Sequence, residues 1–388
     1  MLVRFSTPEI DQRFVESIHD DRLGEFVKNV FSALPRSDQR RWAEIYTRGL
    51  LLGTGPKSIR RTAQELVAEP AIQSLQQFVN QSPWDWQPIR ERLAAEVQAR
   101  LSPEAWVVVA NITSKRGDKS IGVERRFVPS EGRLINCQMG LGLMATSRLH
   151  GVPIDWRLVL SPRWTDDPAR RAKARIPDGV HARAEWEEVL DMVRQVRDRW
   201  GMPVAPLLGE WRTPGAVELV NSLVALDQPF ALEVDGSLLV APAHRPLAPA
   251  GQRDAWQMAP RPLAQHARIW EKSHRHIIVA TGQSSARVVS MPITMAPTAS
   301  RFGAAVDVRL IAAHPTGSEP PRYWVTNLFD APLQEIIFLL QLRETADRAS
   351  DRLYTEFGVS DFEGRSFLGW HHHATLVSTA CAYDCLYR

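Results

Sequence analysis

Three consecutive histidines, His371-His372-His373, end a run that opens Asp361-Phe362-Glu363-Gly364-Arg365-Ser366 and continues through Gly369-Trp370. Adjacent imidazoles invite a metal. On a helix, however, successive side chains diverge by about 100°, so the three cannot converge on one ion. Packing or an outward, partner-facing surface is the expected role. Glu363 takes the simplest role open to it, a salt bridge with Arg365. Cys381 and Cys385 are neighbours on a helix, but two thiols fall short of a zinc site. Cys137 stands in no local sequence that would activate it and reads as a small buried residue. No glycine-rich phosphate loop and no Gly-x-Ser-x-Gly elbow occurs, which removes those two routes to chemistry.

The surface chemistry is mildly basic. Among 388 residues the formal net charge is +3, which permits a nucleic-acid partner without requiring one. Between Arg36 and Arg61 the chain concentrates Arg40, Arg41, Arg48, Lys57 and Arg60 against only Asp38 and Glu44. Such a run fits either a solvated helix face or phosphate contact. A second basic cluster falls between Pro162 and Pro177, with Arg163, Arg170, Arg171, Lys173 and Arg175, read as an irregular loop; Lys115 and Arg116 lie in a turn. The three cysteines imply no disulfide framework, so a reducing cytoplasm is the expected setting. No signal peptide is evident, and the longest apolar run, Ile336 to Leu340, is too short to span a bilayer.

The elements that must position these groups follow from periodicity. Residues 1–102 read as a helical N-terminal domain: one helix capped by Ser37, a second from Ser58, and a third carrying Ile89, Leu93 and Val97. At Ala105 the pattern changes. Trp106 to Ile112 is a short, β-branched apolar run suited to a strand buried on both faces, and strands over 120–128, 134–145 and 154–160 make a meander. Trp186, Val189, Leu190, Val193, Val196 and Trp200 mark an amphipathic helix. Strands at 205–211 and 230–234 flank a helix over 216–226. Residues 236–327 are proline-rich and read as a β-rich insertion. Helices over 332–353 and 371–386 close the chain. The expected fold is α/β, with a first core segment at 103–235 and the closing helices at 328–388.

Several short motifs recur in a fixed order: Ser82-Pro83-Trp84-Asp85-Trp86, Trp106-Val107-Val108, Asn136-Cys137-Gln138, Asp155-Trp156-Arg157-Leu158, Asp167-Pro168 with Arg171-Ala172-Lys173-Ala174, Tyr323-Trp324-Val325-Thr326, and the Phe-Glu-Gly-Arg-Ser and Gly-Trp-His-His-His ending. In these the chain resembles the insertion-sequence transposases of the DDE type, from about residue 37 onward. The resemblance implies an RNase H-like core and three carboxylates holding Mg2+ or Mn2+ for two-metal strand transfer. It also implies double-stranded DNA with terminal inverted repeats as partner, and action as a homodimer. Arg40, Arg41, Lys57, Arg60, Arg61, Lys115, Arg116, Arg170, Arg171 and Lys173 are then the expected DNA-binding residues.

The catalytic positions depart from that pattern. Where the family ends its first strand in paired aspartates, this chain has Val109-Ala110, with Ala110 expected at the catalytic place. Asn111 is a poor substitute, since neighbouring strand residues point to opposite faces. Glu210 matches the second aspartate. Against the Y-x2-R-x3-E-x6-K signature, Arg343 matches the arginine, Asp347 falls on the glutamate, and Leu340 and Tyr354 replace the tyrosine and lysine. An Ala/Glu/Asp trio is expected to be impaired in cleavage, with Glu210 and Asp347 as metal ligands only if activity survives. Three uses remain open: a weakly active or decayed transposase, a domesticated DNA-binding protein, and a new reaction in the old cleft.

Overall fold

The computed structural model describes residues 21–53, 55–59, 61, 69–128, 131–212, 215–243, 260–273, 277–281, 284–295 and 305–388. Its N-terminal part is helical: α1 (Asp21–Val30), α2 (Ser37–Leu52), α3 (Glu69–Asn80) and α4 (Gln87–Leu101). Ser37 is the first helical residue rather than the cap, and the cap position, Arg36, makes no side-chain capping bond. The helix expected from Ser58 falls largely outside the described residues.

The next strands are β1 (Ala105–Ser114), β2 (Val123–Val128), β3 (Arg133–Thr146) and β4 (Gly151–Leu158). β3 is long enough to serve both neighbours on one edge. Its first half pairs with β2 and its second half with β4, while its other edge pairs with β1 from Cys137 to Thr146. The basic stretch after β4 is ordered as two short helices, α5 (Pro162–Thr165) and α6 (Pro168–Ala174), in place of the expected irregular loop. The reason is local. Each opens on a proline, which suits the first helical position, and the Asp167 carboxylate caps α6 by accepting from the Ala169 and Arg170 amides at 2.9 and 3.1 Å.

α7 (Glu185–Arg194) runs into one π-type turn over 195–199 and leads to β5 (Leu207–Trp211), α8 (Ala216–Ala225) and β6 (Phe230–Val234). β5 lies parallel to β1, and β6 parallel to β5. The resulting order, β4 and β2 beside β3, then β1, β5 and β6, is that of the RNase H-like core. Residues 236–327 continue this same sheet. β7 (Leu239–Pro242), β8 (Arg261–Pro262), β9 (Ile277–Thr281), β10 (Ser284–Met295), β11 (Val306–Pro315) and β12 (Arg322–Thr326) extend it, with β12 antiparallel to β6. Among the described residues this β-rich stretch also holds a helix, α9 (Leu263–Ser273).

Two helices close the chain, α10 (Leu333–Thr355) and α11 (Phe367–Tyr387). α11 starts four residues before the expected His371, because Ser366 caps it: its Oγ accepts from the Gly369 amide at 3.1 Å and donates to the Asn80 carbonyl at 3.0 Å. α11 is buried from Trp370 through Tyr383, polar residues included. Its hydroxyls are satisfied within the helix, Thr375, Ser378 and Thr379 each donating to the carbonyl four residues earlier.

Three of the motifs quoted above, Ser82–Trp86, Asp155–Leu158 and the Gly-Trp-His-His-His ending, meet around α11. His372 stacks on Trp84 with ring centres 3.7 Å apart, His371 stacks on Trp86 at 4.3 Å, and Trp370 meets Trp156 edge-on at 6.4 Å. Gly140 of β3 is required here, since a Cβ would lie 2.7 Å from the Trp370 ring. At the centre sits Arg90 of α4, fully buried. It donates to Asp155 and the Trp156 carbonyl at 2.9 Å, to Thr375 at 2.9 Å and to the His371 carbonyl at 3.1 Å. Desolvation draws its guanidinium down to about 10, against the charge of Asp155.

Candidate active site

One face of the sheet, the one covered by α10, carries the residues that bear on chemistry. On β1 it is marked by Asn111, whose side-chain oxygen accepts from the Tyr354 hydroxyl of α10. Thr113 donates to the same oxygen at 3.3 Å. Side chains alternate along a strand, so Val109 shares this face and Ala110 points to the other. Ala110 is exposed there, whereas Val109 is buried. The pairing of Val107 with Leu208 carries this alternation into β5 and places Glu210 on the face of Val109. The first-strand position facing Glu210 is therefore Val109 rather than the expected Ala110, and it is equally unable to bind a metal.

Glu210 pairs in register with Glu233 of β6, so two carboxylates stand side by side. Both are held by arginines. Arg212 contacts Glu210 at 3.1 Å and also binds Glu233; Arg322 of β12 grips Glu233 through two bonds of 3.1 and 2.6 Å. Burial alone would raise the Glu233 carboxyl, but the bonds and charges of Arg322 and Arg212 outweigh it and hold the group below its ordinary range. On α10, Asp347 is exposed and bound by Arg343 at 2.7 Å, one turn earlier. The Glu344 carboxylate, absent from the sequence expectations, adds to the field at Arg322.

The family described as DDE superfamily endonuclease matches residues 29–294, more than half of the chain. The chain belongs to this family. No curated protein matches it. The match covers the helical N-terminal part, β1 to β6 and part of the sheet extension, and stops before α10 and the Phe-Glu-Gly-Arg-Ser ending.

DDE superfamily endonucleases typically use divalent metals, and the residues present here do not fit that requirement. The two adjacent carboxylates are neutralised by guanidinium groups, and β1 contributes valine and an amide already bound to a phenol. Among the described residues, no group of three or more His, Cys, Asp or Glu could hold a metal ion. His371, His372 and His373 are each buried against different partners. His372 lies between the Val79 and Trp84 carbonyls at 2.9 and 2.8 Å, and His373 between the Tyr46 hydroxyl and the Gly358 carbonyl at 3.0 Å each. They serve packing, and no DNA-facing surface is left to them.

The basic residues divide. Arg41 and Arg61 are exposed, and Arg40 donates to the Leu34 carbonyl. Lys57 is buried, its ammonium bound to the Leu50 carbonyl at 2.8 Å and to that of Gly53, so it presents no charge to DNA. Arg60 lies outside the described residues. Lys115 reaches the Phe362 and Ser360 carbonyls at 2.9 and 3.3 Å, and Arg171 the Val180 and Thr165 carbonyls at 2.8 and 3.1 Å. Both tie loops together. Arg116 and Lys173 are exposed, and Arg170 is half-buried.

Sequence reasoning missed Arg212, Glu233 and Arg322. A signal existed: Glu233 interrupts the apolar strand Phe230–Val234, and a carboxylate so placed needs a cationic partner. Which arginine would supply it depends on β12 returning beside β6, which no local pattern discloses.

Proposed function

We propose that this DDE superfamily protein binds double-stranded DNA without cleaving it. The observation that carries this reading is the pairing of Glu210 and Glu233 with Arg212 and Arg322 on the face where the family needs free carboxylates. A metal-binding carboxylate must be unpaired and joined by others from distant strands. Here the positive charge that metals would bring is already supplied by two side chains. The hydrogen bond between Asn111 and Tyr354 supports the same conclusion on β1.

DNA as partner follows from family membership and from the exposed cations Arg41, Arg61, Arg116 and Lys173. Homodimer formation on paired DNA ends and a cytoplasmic setting are part of the proposal. No helix among the described residues is long and apolar enough to cross a membrane. The test is incubation with duplexes carrying the inverted repeats that flank the gene, or random duplex where none exist, in Mg2+ or Mn2+. The expected result is binding with intact strands. Robust cleavage, abolished by Glu210→Ala and by Asp347→Ala, would overturn the proposal.

A further inference from the structure

A small concavity remote in sequence from the carboxylate face collects cations from three segments. It measures about 170 Å3 and is lined by Asp118 and Lys119 of the β1–β2 turn, Trp164 of α5, Arg170, Lys173 and Ala174 around α6, and Arg365 of the Phe-Glu-Gly-Arg-Ser motif. Four cations thus face one carboxylate. That carboxylate is shared, because Asp118 contacts Arg163 at 2.9 Å and Arg170 at 3.9 Å. Among the described residues, no ion pair involves Lys119, Lys173 or Arg365, and all three are exposed.

Arg170 is also paired with Asp167 at 3.5 Å, which leaves Lys119, Lys173 and Arg365 as the three unneutralised cations. Such cations converging on a concavity repel one another, and the arrangement is at its most stable with an anion between them. The walls are rigid. Trp164 is buried, its indole N–H donates to the Val123 carbonyl at 3.3 Å, and the Arg170 guanidinium lies 5.3 Å from the centre of its ring. The Arg365 loop is held from both sides, by Lys115 on the Phe362 carbonyl and by Ser366 on the Asn80 carbonyl. Within it Gly364 is obligatory, as a Cβ would lie 2.2 Å from the Phe362 ring. The backbone that carries these cations is thus held in advance, so binding costs side-chain freedom but no loop ordering.

We infer that Lys119, Arg170, Lys173 and Arg365 form a cradle for one phosphodiester group of a DNA backbone. A single phosphate suits the volume, and the guanidinium and ammonium donors suit its oxygens. The inference rests on the DNA-binding reading above and gives it an anchor that positions without reading sequence. It also gives Arg365 a ligand in place of the salt bridge with Glu363.

The test compares the full chain with Lys119→Gln/Arg365→Gln, both exposed and unpaired, so melting temperatures should agree. Binding to a 30-base-pair duplex is followed by anisotropy over a salt series. The variant should bind roughly tenfold more weakly, and its log–log salt slope should be shallower by about two, one for each lost phosphate contact. Arg365→Lys should recover most of the affinity. If the parent binds DNA and the variant retains both affinity and slope, the cradle is wrong while the DNA-binding reading stands. If the parent binds no duplex even at low salt, both fall. In that case an inorganic phosphate titration that raises the parent's melting temperature, and not the variant's, would assign the cavity to a free phosphate ligand instead.

Discussion

The Tyr354 hydroxyl of α10 donates to the side-chain oxygen of Asn111 on β1, joining the closing helix to the central strand on the face that also carries Glu210. Burial pushes the Tyr354 phenol up to about 12, so it stays protonated as a donor through the physiological range. Tyr354→Phe leaves a buried amide oxygen with only the longer bond from Thr113. The expected cost is about 1–2 kcal/mol, toward the lower part of the range for an unsatisfied buried acceptor. Urea denaturation of the two proteins checks this.

The Arg90–Asp155 pair anchors the Trp-Asp-Trp, Asp-Trp-Arg-Leu and Gly-Trp-His-His-His motifs together. Both side chains are fully buried, and Asp155 accepts also from Arg157 at 2.6 Å. Arg90→Met removes one cation and strands the Asp155 oxygen that it served, while the Trp156 carbonyl keeps Arg157 and the Thr375 hydroxyl keeps the His371 carbonyl. A loss of about 3–5 kcal/mol is expected, the scale for breaking a buried pair from one side. Asp155→Asn should cost less, since the amide oxygen still accepts from Arg90 and Arg157 keeps other carboxylates at Glu188 and Asp191. Denaturant midpoints of the two variants, compared at equal slope, give the ranking.

The three histidines make the fold acid-sensitive. Burial depresses all three: His371 falls well below its ordinary value, the charges of Arg90 and Arg157 pushing the same way, and His372 and His373 fall to about 4, carbonyl bonds opposing the shift only in part. Each ring is neutral when folded and takes up a proton when unfolded below about pH 6.5. Stability is therefore fully present above that pH and falls as pH drops toward 4, by about 1.4 kcal/mol per pH unit for each ring once the unfolded state is protonated. Melting temperature measured between pH 7.5 and 4.5 should decline steeply. Replacing His372 by Gln, which can still donate to one carbonyl, should flatten the profile by one proton. A profile that stays level would contradict burial of neutral imidazoles.

Much of this arrangement was legible in the sequence. β6 falls on the expected residues 230–234, α8 within one residue of expectation, and the motif order pointed to the DDE family and an RNase H-like core. These rest on local signals: β-branched runs, helical spacing and short motifs. What was not legible depended on alternation and register. Reading Val109-Ala110 as a pair could not decide which of the two faces Glu210; the Val107–Leu208 pairing does. Lys57 looked like one more cation in a basic run, and only the turn that folds it back onto Leu50 and Gly53 buries it.

Glu233 provides a test of how the carboxylate face is neutralised. Its folded carboxyl lies below its ordinary value, so the stabilisation it gives is present above about pH 4.3 and is lost as pH falls through the folded value. Glu233→Gln should destabilise by about 1–3 kcal/mol, less than a fully enclosed pair, because Arg212 and Arg322 are half-exposed and can turn to water. Glu210→Ala and Asp347→Ala remove exposed partners of Arg212 and Arg343 and should each change stability by less than about 1 kcal/mol. Added Mn2+ discriminates further. A metal bound only by the folded chain raises its melting temperature by mass action, so the parent should show no rise at millimolar Mn2+. A rise that Glu210→Ala and Asp347→Ala both abolish would mean that the arginines yield to the metal, and that the face is a working metal site after all.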